Sequence, residues 1–158
     1  MLSIQIDKVL RRGEATALKY LGCFPSDRIP PYSTNTFIYP HCMVVNMDIS
    51  TKAGSHWVAL YMESPAKVDY YDSLGDWPPP SKHIQKYLNN FSIIRYNHMQ
   101  LQTDDAATCG RHAIYFLWKR CTGEFCSIEN MIKHFSSCQS KPDRLVYAFV
   151  HHLLKMHK

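Results

Sequence analysis

Residues 56–72 read HWVALYMESPAKVDYYD, two short apolar runs rich in β-formers on either side of a Glu63-Ser64-Pro65 break. The pattern predicts an antiparallel hairpin that pairs residues 56–62 with 67–72. If the turn centres on Ser64, partner numbers sum to a constant, so Met62 faces Ala66, Leu60 faces Val68 and His56 faces Asp72. Directly opposed residues hold their Cβ atoms roughly 4.5–5.5 Å apart, near enough for the Asp72 carboxylate to accept from an imidazole Nδ1–H. The hairpin would then build half of a reaction centre by itself. All of this rests on register, because a slip of one residue would send His56 and Asp72 to opposite faces.

Downstream, residues 109–118 read CGRHAIYFLW. From Ala113 the segment is apolar nearly all round, which describes a buried helix better than an amphipathic surface one. Cys109 and Gly110 open it. At a helix N-terminus the unpaired N–H groups and the positive end of the macrodipole favour a thiolate, lowering a cysteine pKa from its free value of about 8.5. A neighbouring His56 would lower it further. Gly110 lets the backbone approach a substrate carbonyl, and the Cys109 amide can donate to the oxyanion formed on attack. Gln102, with six residues between it and Cys109, offers a second donor from its side chain. His56 as base, Asp72 as orienting carboxylate, Gln102 as oxyanion donor and Cys109 as nucleophile form the set a thiol hydrolase requires. Trp57 is expected in the core or in the wall that supports the substrate. Taken singly, each residue has an ordinary use as a buried small hydrophobe, a strand-edge histidine or a turn carboxylate. Their joint order is what points to chemistry.

At these residues the chain resembles the adenovirus-type cysteine proteases, relatives of the proteases that remove ubiquitin-like modifiers. The His56-Trp57 pair, Asp72 closing the next strand and the Gln102-x6-Cys109-Gly110 run carry the resemblance. The segment Tyr20-Leu21-Gly22-Cys23-Phe24-Pro25 with Arg28 and Pro30 is similar to that family's N-terminal Leu-Gly…Arg-x-Pro stretch. Met43-Val44-Val45-Asn46 resembles the strand before the catalytic histidine, and Leu145, Tyr147, Phe149 and His151 resemble the final helix. The resemblance implies a papain-like arrangement and cleavage of protein substrates at Gly-containing sites by a monomer. It further implies precursor processing during particle maturation for a DNA virus or virus-like element, in the host nucleus or the particle. An isopeptidase acting on a ubiquitin-like tail would use the same constellation.

The departures are also informative. Asp72 stands where adenovirus enzymes carry Glu, although Asp is usual in the deconjugating relatives, so the role survives. Asp104 and Asp105 precede the nucleophile and would oppose its ionisation unless they point to solvent or pair with Arg111. The family's viral members are activated by a short peptide joined by a disulfide to a cysteine lying between the acidic residue and the nucleophile, and here no cysteine lies from Asp72 to Thr108. That covalent activation does not carry over. No cofactor is required for the chemistry, while DNA or an activating peptide is implied by the resemblance alone.

The chain has 158 residues, a length that suits a single domain spanning 1–158. Its hydrophobic fraction of 46% and aromatic fraction of 13% argue against disorder. No apolar run approaches the ~20 residues needed to span a bilayer, and the charged N-terminal stretch does not read as a signal peptide. An intracellular, non-secreted protein with no membrane partner is expected, its six cysteines free thiols. The element order is a helix over 4–20 that Ser3 caps and Gly22 ends, an irregular proline-rich stretch, a strand over 42–49 and the hairpin. A helix over 81–89, a strand over 91–96, the Cys109 helix, a helix near 127–135 and a final helix from Pro142 follow. This is an α+β chain with a small mixed or antiparallel sheet between helices.

Two rival uses of these residues exist. Cys109 with His112, Cys121 with Cys126, and His134 with Cys138 have ligand-like spacing in pairs, but none makes the doubled CxxC pattern of a structural zinc site; no metal is expected. The net charge of +5, with Arg11, Arg12, Lys19, Lys119, Arg120, Lys155 and Lys158, suggests a basic surface able to draw nucleic acid by counterion release. A non-catalytic DNA-binding protein is the rival from a different class.

Overall fold

Pro65 and Ala66, not Ser64, make the hairpin turn. The computed structural model describes residues 1–32 and 38–156, and in it β3 (Trp57–Ser64) pairs with β4 (Lys67–Tyr71) through Leu60↔Tyr70, Met62↔Val68 and Ser64↔Lys67. Proline's fixed φ suits the first corner of a turn, and Ser64 Oγ accepts from the Ala66 amide at 3.3 Å. An irregularity between Met62 and Ser64 takes up one further residue. Leu60 therefore faces Tyr70 rather than Val68, a displacement of two residues from the expected register. Because the side-chain period of a strand is two, such a displacement leaves every side chain on its expected face.

Around the hairpin lie β1 (Tyr20–Pro25), β2 (His41–Asn46) and β5 (Ile93–Tyr96), in the order β1-β2-β3-β4-β5. The outer pairs, β1/β2 and β4/β5, are parallel and the central pairs antiparallel. The architecture is the expected α+β mixed sheet between helices. Strand alternation sorts the core onto two faces. Cys42, Val44, Ala59, Tyr61 and Tyr71 turn one way, and Met43, Val45, Val58, Leu60 and Tyr70 turn the other. The second face is covered by α3 (Lys82–Leu88), whose N-cap Ser81 accepts from the Ile84 amide at 3.4 Å. The first is covered by α1 (Ser3–Leu10), α4 (Cys109–Thr122), α5 (Ile128–Ser137) and α6 (Pro142–Met156).

The N-terminal region departs from the expected continuous helix. α1 has Leu2, not Ser3, at its N-cap, stops at Leu10, and is followed by the short α2 (Glu14–Ala17). Between them Gly13 approaches Trp118 so closely that a Cβ would lie 2.6 Å from its ring. Tyr20–Pro25 is then an edge strand rather than a helix end, with Gly22 at φ +149° where the register against β2 shifts. No helix among the described residues is long and apolar enough to cross a membrane.

The expected basic surface is interrupted. Arg120 turns inward, its Nε donating to Asp69 Oδ2 at 3.1 Å and its Nη1 to the Phe125 carbonyl at 2.9 Å. Arg95 donates to Asp69 Oδ1 at 2.5 Å and to Glu63 at 2.7 Å. The fully buried Asp69 needs these cations, which is why Arg120 is not available to a surface partner. Lys119 pairs with Glu124, and Lys19 donates to the Cys121 carbonyl at 2.8 Å. Lys158 lies outside the described residues.

Removing one partner from a buried ion network leaves the others uncompensated. Asp69→Ala is expected to lower the unfolding free energy by about 3–5 kcal/mol in a urea titration. Lys52→Ala, which deletes an exposed pair to Asp48 at 3.9 Å, is expected to change it by at most about 0.5 kcal/mol. Equal effects from the two substitutions would show that the Asp69 network is not an anchor.

Candidate active site

His56 stands immediately before β3 and Asp72 immediately after β4. Their side chains meet, His56 Nε2 to Asp72 Oδ1 at 2.6 Å. The expected contact used Nδ1; the structure uses Nε2, which leaves Nδ1 as the ring nitrogen available to the thiol. The register displacement explains how the pair survives. Extended along the observed register, His56 and Asp72 are diagonal rather than directly opposed, a separation that long side chains still bridge.

Asp72 is fully buried and closely held. Its amide donates to Asn97 Oδ1 at 2.9 Å, Asn97 Nδ2 donates back to its carbonyl at 2.5 Å, and the Leu74 amide donates to its Oδ1 at 2.9 Å. Asn97 follows β5 and reaches Asp72 across 25 residues of sequence, so no local pattern signals its role.

Cys109 is the first residue of α4. Thr108 occupies the N-cap without capping through its side chain, so the first-turn N–H groups keep their favourable field for a thiolate. Burial pushes the Cys109 thiol up, but the hydrogen bond to His56 and the Trp57 and Gly110 amides outweigh it, and the net direction is down. Burial pulls His56 down, yet Asp72 and Cys109 together raise it to about 9. Both shifts favour a thiolate–imidazolium pair. Asp104 and Asp105 are exposed, where water screens them from the thiol. Arg111 does not neutralise them; it lies over the Tyr147 ring at 4.6 Å.

The pair opens into a cleft of about 580 Å³ lined by Met1, Leu2, His56, Trp57, Gln102 and Cys109 among others. Gln102 Oε1 accepts from Ser73 Oγ at 2.7 Å, and its Nε2 donates to the Ala106 carbonyl. An amide nitrogen carries two protons, so one remains for an oxyanion. Two of these residues make further contacts. The Trp57 indole N–H is committed to the Met1 carbonyl at 3.1 Å, and it is the Trp57 backbone amide that supports the thiolate. The space that a Gly110 side chain would occupy is taken by Met1 and Ile6, whose Cβ and Cδ1 lie 3.1 and 3.2 Å from an ideal Cβ there. At Gly110 the N-terminal segment thus packs against α4 where a side chain would stand.

The residues of the zinc alternative disperse. His112 bonds Tyr71 and Asp143, Cys121 faces Cys42 with sulfurs 3.8 Å apart, Cys126 is exposed, and His134 bonds the Tyr115 hydroxyl at 3.0 Å. No group of three or more metal-ligating side chains forms among the described residues.

A cysteine opening a central helix against a His–Asp pair on a mixed sheet is the papain-like thiol protease arrangement. No protein-family model matches the chain. Its sequence is similar to the SUMO-1 cysteine protease of African swine fever virus, 24% identical over 129 residues that cover 72% of this chain and 43% of the relative. It is also similar to a candidate thiol protease of Acanthamoeba polyphaga mimivirus, 26% identical over 147 residues that cover 77% of this chain and 46% of the relative. The chain thus spans less than half the length of these relatives. Among solved structures, the pS273R protease of African swine fever virus superposes with a TM-score of 0.54 at 20% identity, over 97% of this chain and 67% of the other. The central domain of an uncharacterised Legionella pneumophila protein gives a TM-score of 0.59 at 12% identity, covering 98% of both chains. These likenesses establish the shared fold.

The lowered Cys109 and raised His56 values predict thiolate reactivity below the ordinary thiol range. Alkylation of Cys109, followed by peptide mass mapping, is expected to stay fast well below pH ~8.5 and to move its midpoint up to the ordinary range in His56→Ala. A Cys109 rate equal to that of the other five cysteines, unchanged by the substitution, would refute an activated pair.

Proposed function

We propose that the protein is a cysteine peptidase with Cys109 as nucleophile, His56 as acid and base, Asp72 as the group that orients His56, and Gln102 as an oxyanion donor. The observation that carries this reading is the single imidazole bonded to a buried carboxylate at 2.6 Å and placed in the same cleft as a helix-opening thiol whose ionisation it favours. The Cys109 thiolate attacks the acyl carbon. The negative charge that forms on the carbonyl oxygen is met by the Cys109 backbone N–H and the free proton of Gln102 Nε2. His56 gives its proton to the departing amine as the C–N bond breaks, leaving a thioester. Neutral His56 then takes a proton from water, whose oxygen attacks the thioester and releases the acid and the thiolate. Asp72 keeps the imidazole oriented through both halves.

For the substrate, we favour the tail of a ubiquitin-like modifier, cut at an isopeptide bond, over a viral precursor polypeptide. The viral relatives named SUMO-1 cysteine protease support this choice. Processing of particle precursors rests on family resemblance alone. The test is hydrolysis of a ubiquitin-like modifier joined to a lysine side chain, set against a linear peptide bearing a Gly-containing site. Release of free modifier supports the isopeptidase reading, and cleavage of the linear peptide alone returns the protein to an endopeptidase role.

Cys109→Ala is expected to abolish turnover while the fold persists, and retained turnover would end the peptidase reading. Gln102→Ala is expected to lower kcat by ~10²–10³. His56 must carry a proton to serve the leaving amine. With its value raised to about 9, turnover limited by acylation is expected to fall as pH rises through that region, although alkylation of the thiolate does not.

A further inference from the structure

A second His–Asp pair lies behind the first. His112, in the first turn of α4, is fully buried at its side chain and bonds Asp143 Oδ1 through Nε2 at 3.0 Å. Its Nδ1 meets the Tyr71 hydroxyl at 2.9 Å. With both nitrogens engaged and no exposure, His112 cannot exchange a proton with a substrate. Its N–H points to Asp143, and its lone pair accepts from Tyr71.

Asp143 sits in the first turn of α6 and gathers four hydrogen bonds from two other elements. Oδ1 accepts from His112 and from Thr108 Oγ1. Oδ2 accepts from the Thr103 amide at 2.9 Å and from Thr103 Oγ1 at 3.1 Å. Burial pushes this carboxyl up, but the bonds from Thr108, Thr103 and His112 prevail and hold it below the usual carboxylate range. It stays ionised, and hydrogen bonds to an ionised acceptor are about twice as strong as neutral ones. A helix N-terminus further favours the charge.

The partners of this network are the chain neighbours of the proposed catalytic residues. Tyr71 precedes Asp72, Thr103 follows Gln102, and Thr108 precedes Cys109. One carboxylate thereby pins both ends of the 103–108 segment, which lies between the oxyanion side chain and the nucleophile. The segment's internal bonds, Ala106 amide to Thr103 carbonyl at 3.0 Å and Gln102 Nε2 to Ala106 carbonyl, close it on itself. Among the described residues, only Asp143 fastens it to the helical layer through both ends.

We infer that Asp143, held by His112, is a positioning residue that fixes the 103–108 segment and, through it, the Gln102 amide relative to Cys109. The inference rests on the reading of the site as a thiol peptidase. Acyl transfer depends on the oxyanion donor, whereas alkylation by a small electrophile depends on the thiolate alone. The two readouts therefore separate a misplaced donor from a damaged nucleophile.

The experiment compares wild type, Asp143→Asn, Gln102→Ala and the double variant in steady-state hydrolysis and in Cys109 alkylation, with Thr108→Val as a milder substitution in the same network. Asparagine preserves shape but cannot accept all of these bonds. Asp143→Asn is expected to lower kcat by between about 10-fold and about 10²-fold with KM nearly unchanged, and to leave alkylation within about threefold of wild type. Thr108→Val should move kcat in the same direction by less. The double variant should be no slower than Gln102→Ala within about twofold, because the two act as a unit. Multiplying effects, or a loss carried by KM, would overturn the inference. Amide hydrogen exchange needs no substrate. Faster exchange across residues 103–108 in Asp143→Asn, with α3 unchanged, supports the clamp, and unchanged exchange there overturns it. A wild-type protein without Cys109-dependent turnover would end the peptidase reading, and exchange would still decide the clamp.

Discussion

The position of α4 on the sheet is the constraint from which the rest of the site follows. The helix is apolar through its middle, with Ala113, Ile114, Phe116 and Leu117 buried and Phe116 stacked on Tyr71 at 4.9 Å. Apolar burial of this kind is strong but not directional, so it would tolerate sliding and rotation. Two acidic side chains remove that freedom. Near its C-terminal end, Arg120 is drawn to Asp69 on β4, and near its N-terminal end, His112 and Thr108 are drawn to Asp143 on α6. A sulfur that must meet an imidazole within hydrogen-bond reach needs that fixation, because interactions at such range fall off steeply with displacement.

The hairpin and the Cys109 helix were legible in the sequence because their signals are local. Short apolar runs rich in β-formers on either side of Glu63-Ser64-Pro65 identify β3 and β4, and the apolar run from Ala113 identifies α4. The turn falls one step later than a Ser64-centred register because Pro65 fixes the corner. β1 was hidden because Tyr20–Pro25 alternates weakly, with Gly22 at a register shift. Asn97 and Asp143 carry no signature at all. They reach their partners across 25 and 31–40 residues of chain, and a single asparagine or aspartate in an unremarkable segment does not announce such a contact.

The charge pattern was legible in sum and misleading in place. A surplus of cations counted along the chain says nothing about which of them a buried carboxylate will recruit. Asp69 takes Arg95 and Arg120 together, and the Tyr61 ring lies 4.1 Å from the Arg120 guanidinium. Asp104 and Asp105 show the converse. Beside the nucleophile in sequence, they are turned to solvent, where a high dielectric weakens their effect on the thiol relative to the single contact from His56.

The Trp57 indole bond to the Met1 carbonyl, together with the packing of Met1 over Gly110, brings Met1 to the edge of the cleft. Substrate approaching Cys109 from that side therefore meets Met1 and Trp57 as one wall, so the seating of α1 against α4 also sets the width of the cleft.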